Sequence, residues 1–173
     1  LNVSFPRSTG NTPCFYNHFV TDREEPFDQP GTPEEPKGHY IFDKPEPLWN
    51  FGHGKSYTTF DYVDCALSDT LLAASDTLKV SVMIKNTGRC DGKEVVQLYV
   101  RDKVSTVATP IQQLKAFQKV LVKSGESQCV ELSLPIAELA LYNAKMEEVV
   151  EPGDFEIQIG AASDDIRFKK TIT

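Results

Sequence analysis

From Thr77 to Lys85 apolar side chains recur at every second position. Leu78, Val80, Val82 and Ile84 share one parity, and Lys79, Ser81, Met83 and Lys85 take the other. Successive side chains of an extended strand point to opposite sides, so this period reads as a strand with one buried face and excludes a helix. The period returns in Lys93 to Arg101, with Val96, Leu98 and Val100 inward, and in Leu114 to Val122. It returns again along Gln128, Val130, Leu132 and Leu134, and along Phe155, Ile157 and Ile159. Phe60 to Leu67 opens the series, and Ile166, Phe168 and Ile172 close it; Leu141 to Val150 is a weaker strand candidate. Turn chemistry separates these runs at Asn86-Thr87-Gly88, Asp91-Gly92, Lys123-Ser124-Gly125-Glu126 and Glu151-Pro152-Gly153-Asp154,. Pro135 stops a strand, and Pro135 to Leu141 is expected to form a short helical turn. About seven short strands at this spacing predict an all-β, antiparallel β-sandwich over 60–173.

Upstream the composition changes. Most of the eleven prolines lie before Asn50, among dense charge such as Asp22-Arg23-Glu24-Glu25-Pro26 and Pro33-Glu34-Glu35-Pro36-Lys37. Proline fixes φ and removes a ladder donor, so this segment forms neither a regular helix nor a central strand. It is also rich in rings: Phe15, Tyr16, Phe19, Phe27, Tyr40, Phe42 and Trp49. We read 11–59 as an extended strap whose aromatic anchors need a neighbouring surface. The chain has 173 residues, no run of about 20 apolar residues, no initiating Met and no signal peptide,. The expectation is a piece of something longer, without membrane insertion. A net charge of −7 argues against nucleic acid, whose phosphates call for cations,.

Candidate chemistry is sparse. Cys14, Cys65, Cys90 and Cys129 have no CxxC spacing and the three histidines are scattered, so neither a metal site nor a cofactor is expected,. The spacing leaves disulfides open, and Cys129 is expected to be half-buried in its strand. Glu147-Glu148, Asp164-Asp165 and Glu34-Glu35 are adjacent pairs, whereas glycosidic chemistry needs carboxyls on either side of a bond,. No serine sits in a nucleophile elbow, and His18, His39 and His53 all fall in the strap,. Gly52 and Gly54 in Phe51-Gly52-His53-Gly54-Lys55-Ser56 faintly resemble a phosphate loop. The β-formers immediately downstream point to a tight turn launching the first strand,. Trp49, Phe51, His53 and Tyr57 form the one binding candidate, an aromatic cluster able to stack on a pyranose. The alternative, for which apolar burial suffices, is that they pin the strap to the sandwich or to a missing domain.

Several motifs carry a resemblance. Leu1-Asn2-Val3-Ser4-Phe5-Pro6-Arg7-Ser8-Thr9-Gly10 is similar to the tail of the α/β domain of glycoside hydrolase family 3 enzymes, and Tyr16-Asn17-His18 resembles the short motif just beyond that tail. The run from Pro47 to Phe60 resembles the start of that family's fibronectin type III-like (immunoglobulin-like) domain. Trp49-Asn50 and His53-Gly54-Lys55 depart from the family pattern. Asn86-Thr87-Gly88, Asp91 to Val100, Leu114-Lys115-Ala116-Phe117 and Glu151-Pro152-Gly153 also fall where that domain has them. The resemblance implies a β-glucosidase or β-xylosidase releasing β-linked glucose or xylose from non-reducing ends, periplasmic or secreted. It implies catalytic residues in an upstream barrel and α/β domain of the same polypeptide and none in this chain, with those domains as its partners and oligosaccharide met through the parent site. Residues 1–10 would be the tail strand of the α/β domain, 11–59 the strap and 60–173 an accessory sandwich, with a carbohydrate- or surface-binding module as the alternative role.

Overall fold

The computed structural model describes residues 1–19, 33 and 46–173. Phe27, Tyr40, Phe42, His39 and the pair Glu34-Glu35 lie outside the described residues. Nine strands are present among the described residues. They are β1 (Phe60–Leu67), β2 (Thr77–Asn86), β3 (Gly92–Asp102), β4 (Gln113–Val122), β5 (Ser127–Pro135), β6 (Leu141–Tyr142), β7 (Glu148–Val149), β8 (Phe155–Ala162) and β9 (Asp165–Ile172). Seven of them make two packed sheets, ordered β1-β2-β5 and β4-β3-β8-β9, and every pairing is antiparallel. The fold is therefore an all-β antiparallel sandwich.

The inward rows meet between the sheets. Leu78, Val80, Val82 and Ile84 of β2 and Val130, Leu132 and Leu134 of β5 are buried against Val96, Leu98 and Val100 of β3 and Ile157 and Ile159 of β8. Burying a side chain of this size contributes about 1.5–3 kcal/mol, so this layer holds the sheets together. Asn86 ends β2 as a fully buried polar side chain with all its bonds made. Its Nδ2 donates to Cys90 O (2.8 Å) and Val122 O (2.9 Å), and its Oδ1 accepts from Thr58 Oγ1 (2.5 Å) and Gly88 N (3.0 Å). One amide thus ties the β2–β3 turn to the end of β4 and to the residues leading into β1.

Three details differ from the sequence expectations. Cys129 is exposed rather than half-buried, because its parity on β5 points outward beside Met83. Gln128, expected in the inward row, is exposed as well, since the row becomes buried only from Val130. Leu141 to Val150 is a hairpin of two dipeptide strands rather than one strand. Asn143 Oδ1 accepts from Lys145 N (2.9 Å) and Glu147 N (3.0 Å), and Met146 takes φ 64°, so the chain reverses locally. The helical turn after Pro135 is a 3-10 turn over Ile136–Leu139. All four cysteines are free.

Candidate functional site

The outer face of the four-stranded sheet is where the chain gathers its unusual side chains. Gln97 and Tyr99 have outward parity on β3, yet both are buried. Tyr16 and Phe51 cover them. The Tyr16 and Phe51 rings stack with centroids 4.0 Å apart and planes 12° off parallel. Both stand edge-on to Tyr99, at 6.0 Å and 6.5 Å. Such edge and offset contacts match the ring quadrupoles and add about 0.5–1.5 kcal/mol beyond burial.

Hydrogen bonds fix this cover in register. Tyr99 Oη donates to Gln97 Oε1 (2.6 Å), and Gln97 Nε2 donates to Gly52 O (3.2 Å) and to Ala161 O. Gly52 adopts φ +83°, and a Cβ there would meet Gln97 Oε1 and lie 2.9 Å from Tyr99 Oη. Only glycine fits this turn over β3. Ser163 N donates to Phe51 O (2.9 Å), Asn50 Nδ2 to Asp164 Oδ2 (2.7 Å) and Leu114 N to Tyr16 Oη (3.2 Å). The first residues join in: Phe5 bridges to Trp49, Gly52 N donates to Leu1 O (2.8 Å) and Leu1 N to His53 O (2.7 Å). Burial drives the Tyr99 phenol far above its usual pKa, with Tyr16 and Asp164 adding to the shift. It is therefore a neutral donor.

Beside this cover the same face lies open. A groove of about 740 Å³ runs along it, bordered by Phe51, His53, Lys93, Phe117, Lys119 and Arg167 among others. Where the groove meets the rim of the core, Glu94, of inner parity on β3, accepts from Tyr62 Oη (3.0 Å), and the Arg167 guanidinium lies 5.6 Å from the Tyr62 ring centroid. Arg167 Nε pairs with Asp165 Oδ1 at 2.6 Å. Burial holds the Glu94 carboxyl above its ordinary range, opposed by the Tyr62 hydrogen bond and by Arg167.

Of the four residues singled out in the sequence, Phe51 and His53 border this groove, and Trp49 and Tyr57 do not. One face of Phe51 is occupied by Tyr16, and Trp49 packs edge-on to Phe5 at 5.8 Å while 43% exposed. Tyr57 stands fully in solvent. Gly52 sits in a turn and Gly54 in the irregular chain after it, which leads into strand β1 and not into a helix. The described carboxylate pairs serve as local braces: Asp164 binds Asn50, Asp165 binds Arg167, and Glu147 Oε2 accepts from Asn143 Nδ2 at 2.9 Å. His18 Nδ1 bonds Phe19 O (2.9 Å). No group of three or more metal-ligating side chains occurs among the described residues. Gln97, Tyr99 and Tyr16 were missed by alternation alone. Their signal was an aromatic on the outward parity of a central strand, with unanchored rings upstream.

Residues 94–163 match the model of the fibronectin type III-like domain, and β3 to β8 supply that stretch. The sandwich is a fibronectin type III-like domain. The likeness of the whole chain reaches further. It is 40% identical to a β-xylosidase of Formosa agariphila over 96% of this chain and 22% of that relative. It is 37% identical to a periplasmic β-glucosidase of Salmonella typhimurium over 94% of this chain and 21% of that protein. The crystal structure of a β-glucosidase from Listeria innocua in complex with glucose superposes with a TM-score of 0.84 at 35% identity, over 99% of this chain and 24% of that one. The chain thus spans about a fifth of the length of these relatives. The similarity to β-xylosidases and β-glucosidases extends over nearly the whole chain, beyond the residues matched by the fibronectin type III-like model.

Proposed function

We propose that this chain is the C-terminal section of a glycoside hydrolase family 3 enzyme. Its fibronectin type III-like domain braces the catalytic domains of the same polypeptide. In this reading residues 1–10 complete an upstream α/β domain, 11–59 form the strap and 60–173 the accessory domain. The parent releases β-linked glucose or xylose from non-reducing ends, and it works in the periplasm or outside the cell. The observation that carries the reading is the Tyr16–Phe51–Tyr99 cluster, in which two half-buried rings cover the buried Tyr99, with the Gln97 bonds beneath it. It clamps the residues preceding the domain onto the outer sheet, so whatever is continuous with them is held at a fixed orientation. Deleting 60–173 from the parent enzyme is expected to lower its melting temperature and soluble yield. Unchanged stability and activity would sink the bracing role.

A second reading is contact with carbohydrate through Trp49, Phe51, His53 and Tyr57. It is favoured by the free Tyr57 ring and by the exposed edge of Trp49. Titration of the chain with xylan, cellulose and cello-oligosaccharides, followed by Trp49 fluorescence, tests it; an unchanged spectrum removes it.

A further inference from the structure

The open half of the outer sheet face carries a charge unlike the rest of the chain. Lys55, Lys93, Lys119 and Arg167 border the groove against two carboxylates, Glu94 and Asp165. Four cations and two anions leave an excess of +2 on a chain whose net charge is −7. Arg167 is neutralised by Asp165, and Glu94 is tucked against the Tyr62 hydroxyl. Among the described residues no carboxylate lies within 4.0 Å of Lys55, Lys93 or Lys119.

Strand register places these groups together. Val95 lies opposite Lys119, Lys93 opposite Leu121 and Gln97 opposite Phe117. Lys93 and Lys119 are therefore diagonal neighbours on one face, roughly 7–8 Å apart at the backbone. Like charges at that spacing repel, and a bound anion relieves the repulsion. Phe117, 64% exposed, is next along the same row and offers a flat apolar face. The groove's volume is that of a small-ligand site rather than of a water pocket,.

We propose that this half of the face binds a short saccharide bearing a carboxylate, that is, an oligosaccharide with a uronic acid residue. The carboxylate sits between Lys93 and Lys119. A pyranose ring lies on Phe117, and sugar hydroxyls reach Ser56 and the outer oxygens of Asp165. The charge excess suits one or two carboxylates; a densely charged polyphosphate would need more cations and no neighbouring anions. The proposal goes beyond the bracing role and rests on neither reading above. Its recognising groups are Lys93, Phe117 and Lys119, not Trp49 or Tyr57.

The test uses the 173-residue chain with three probes: a xylo-oligosaccharide carrying one glucuronic acid branch, the same oligosaccharide without it, and hexaglutamate. Amide shifts are followed by two-dimensional NMR. The branched sugar is expected to move the amides of Lys93, Val95, Phe117 and Lys119 with a Kd on the order of 1 mM. The neutral sugar is expected to bind about fivefold more weakly, and added salt to narrow the gap. In Lys93→Gln/Lys119→Gln the preference for the branched sugar should vanish, with the melting temperature unchanged because both side chains are exposed. In Phe117→Ala both sugars should weaken together. Equal binding of the two sugars, no shift at about 20 mM ligand, or an unaltered preference in the double variant would overturn the proposal. Hexaglutamate binding as tightly as the branched sugar would overturn it too, and would make the face a docking surface for acidic peptide.

Discussion

Val96, Leu98 and Val100 point one way from β3, Gln97 and Tyr99 point the other, and all five are buried. The inner three are covered by the facing sheet with apolar groups alone. The outer two are covered by residues that lie about 45 to 80 positions upstream, and the contact is made of rings and hydrogen bonds. The inner face therefore holds the sandwich together, whereas the outer face decides what the sandwich holds. An apolar interior tolerates exchange of similar volumes. A polar amide that satisfies two carbonyls and one hydroxyl does not.

The sharpest way to separate the faces is to damage each in turn. Leu98→Ala empties a fully buried site between the sheets and should cost about 3 kcal/mol,. Urea denaturation should show one cooperative transition at a lower midpoint, with the strap lost along with the sandwich. A loss below about 1 kcal/mol would mean that the inner layer is not the main support.

Gln97→Ala strikes the other side. It leaves Gly52 O and Ala161 O without their donor and Tyr99 Oη without its acceptor, at a cost of about 2 kcal/mol,. A different phenotype is expected as well as a smaller loss. Tryptic cleavage after Lys55 should accelerate and the Gly52 amide should exchange faster, while amides of β2 and β5 keep their protection. Uniform loss of protection across both sheets would show that the strap and sandwich are one cooperative unit.

The inner face was legible in the sequence and the outer face was not, for a physical reason. Alternation reports which parity meets the sheet across the core, and Leu78 to Ile84 state it without ambiguity,. It is silent on what covers the other parity, because that depends on chain far away in sequence. Gln97 and Tyr99 therefore read as solvent-facing. The aromatic strap did signal that its rings needed a surface, but Tyr16 and Phe51 could not be assigned theirs. The neighbours Trp49, Phe51, His53 and Tyr57 look like one cluster, yet the Gly52 turn sends Phe51 onto β3 while Tyr57 stays in solvent. The Lys93–Phe117–Lys119 row was invisible for the same reason: it exists only once β3 and β4 are in register.

Tyr16→Leu tests how much of the outer contact is specific to rings. It keeps apolar volume but removes the stack on Phe51, the edge contact with Tyr99 and the acceptor for Leu114 N. We expect a loss of about 1 kcal/mol, confined to strap protection. An unchanged Gly52 exchange rate would mean that burial alone holds the strap.

The smallest expected effect has the opposite sign. Glu94 has the inner parity of β3, next in row to Val96, and accepts from Tyr62 Oη at the rim of the core. Burial raises its pKa in the folded state above the unfolded value. A carboxyl shifted this way favours folding at pH below the unfolded pKa, and the contribution is lost as pH rises through the folded pKa. At neutral pH the ionised group is therefore a burden. Glu94→Gln keeps an acceptor for Tyr62 and carries no charge, so it should raise stability at pH 7, by less than any of the losses above,. The advantage should shrink as pH falls towards about 4, where the native side chain is protonated as well. Thermal melts of both proteins across that range check the sign. A variant less stable at pH 7 would mean that the charge-assisted bond from Tyr62, with the nearby Arg167, outweighs desolvation. The rim of the inner face would then be held by polar pairing, as the outer face is.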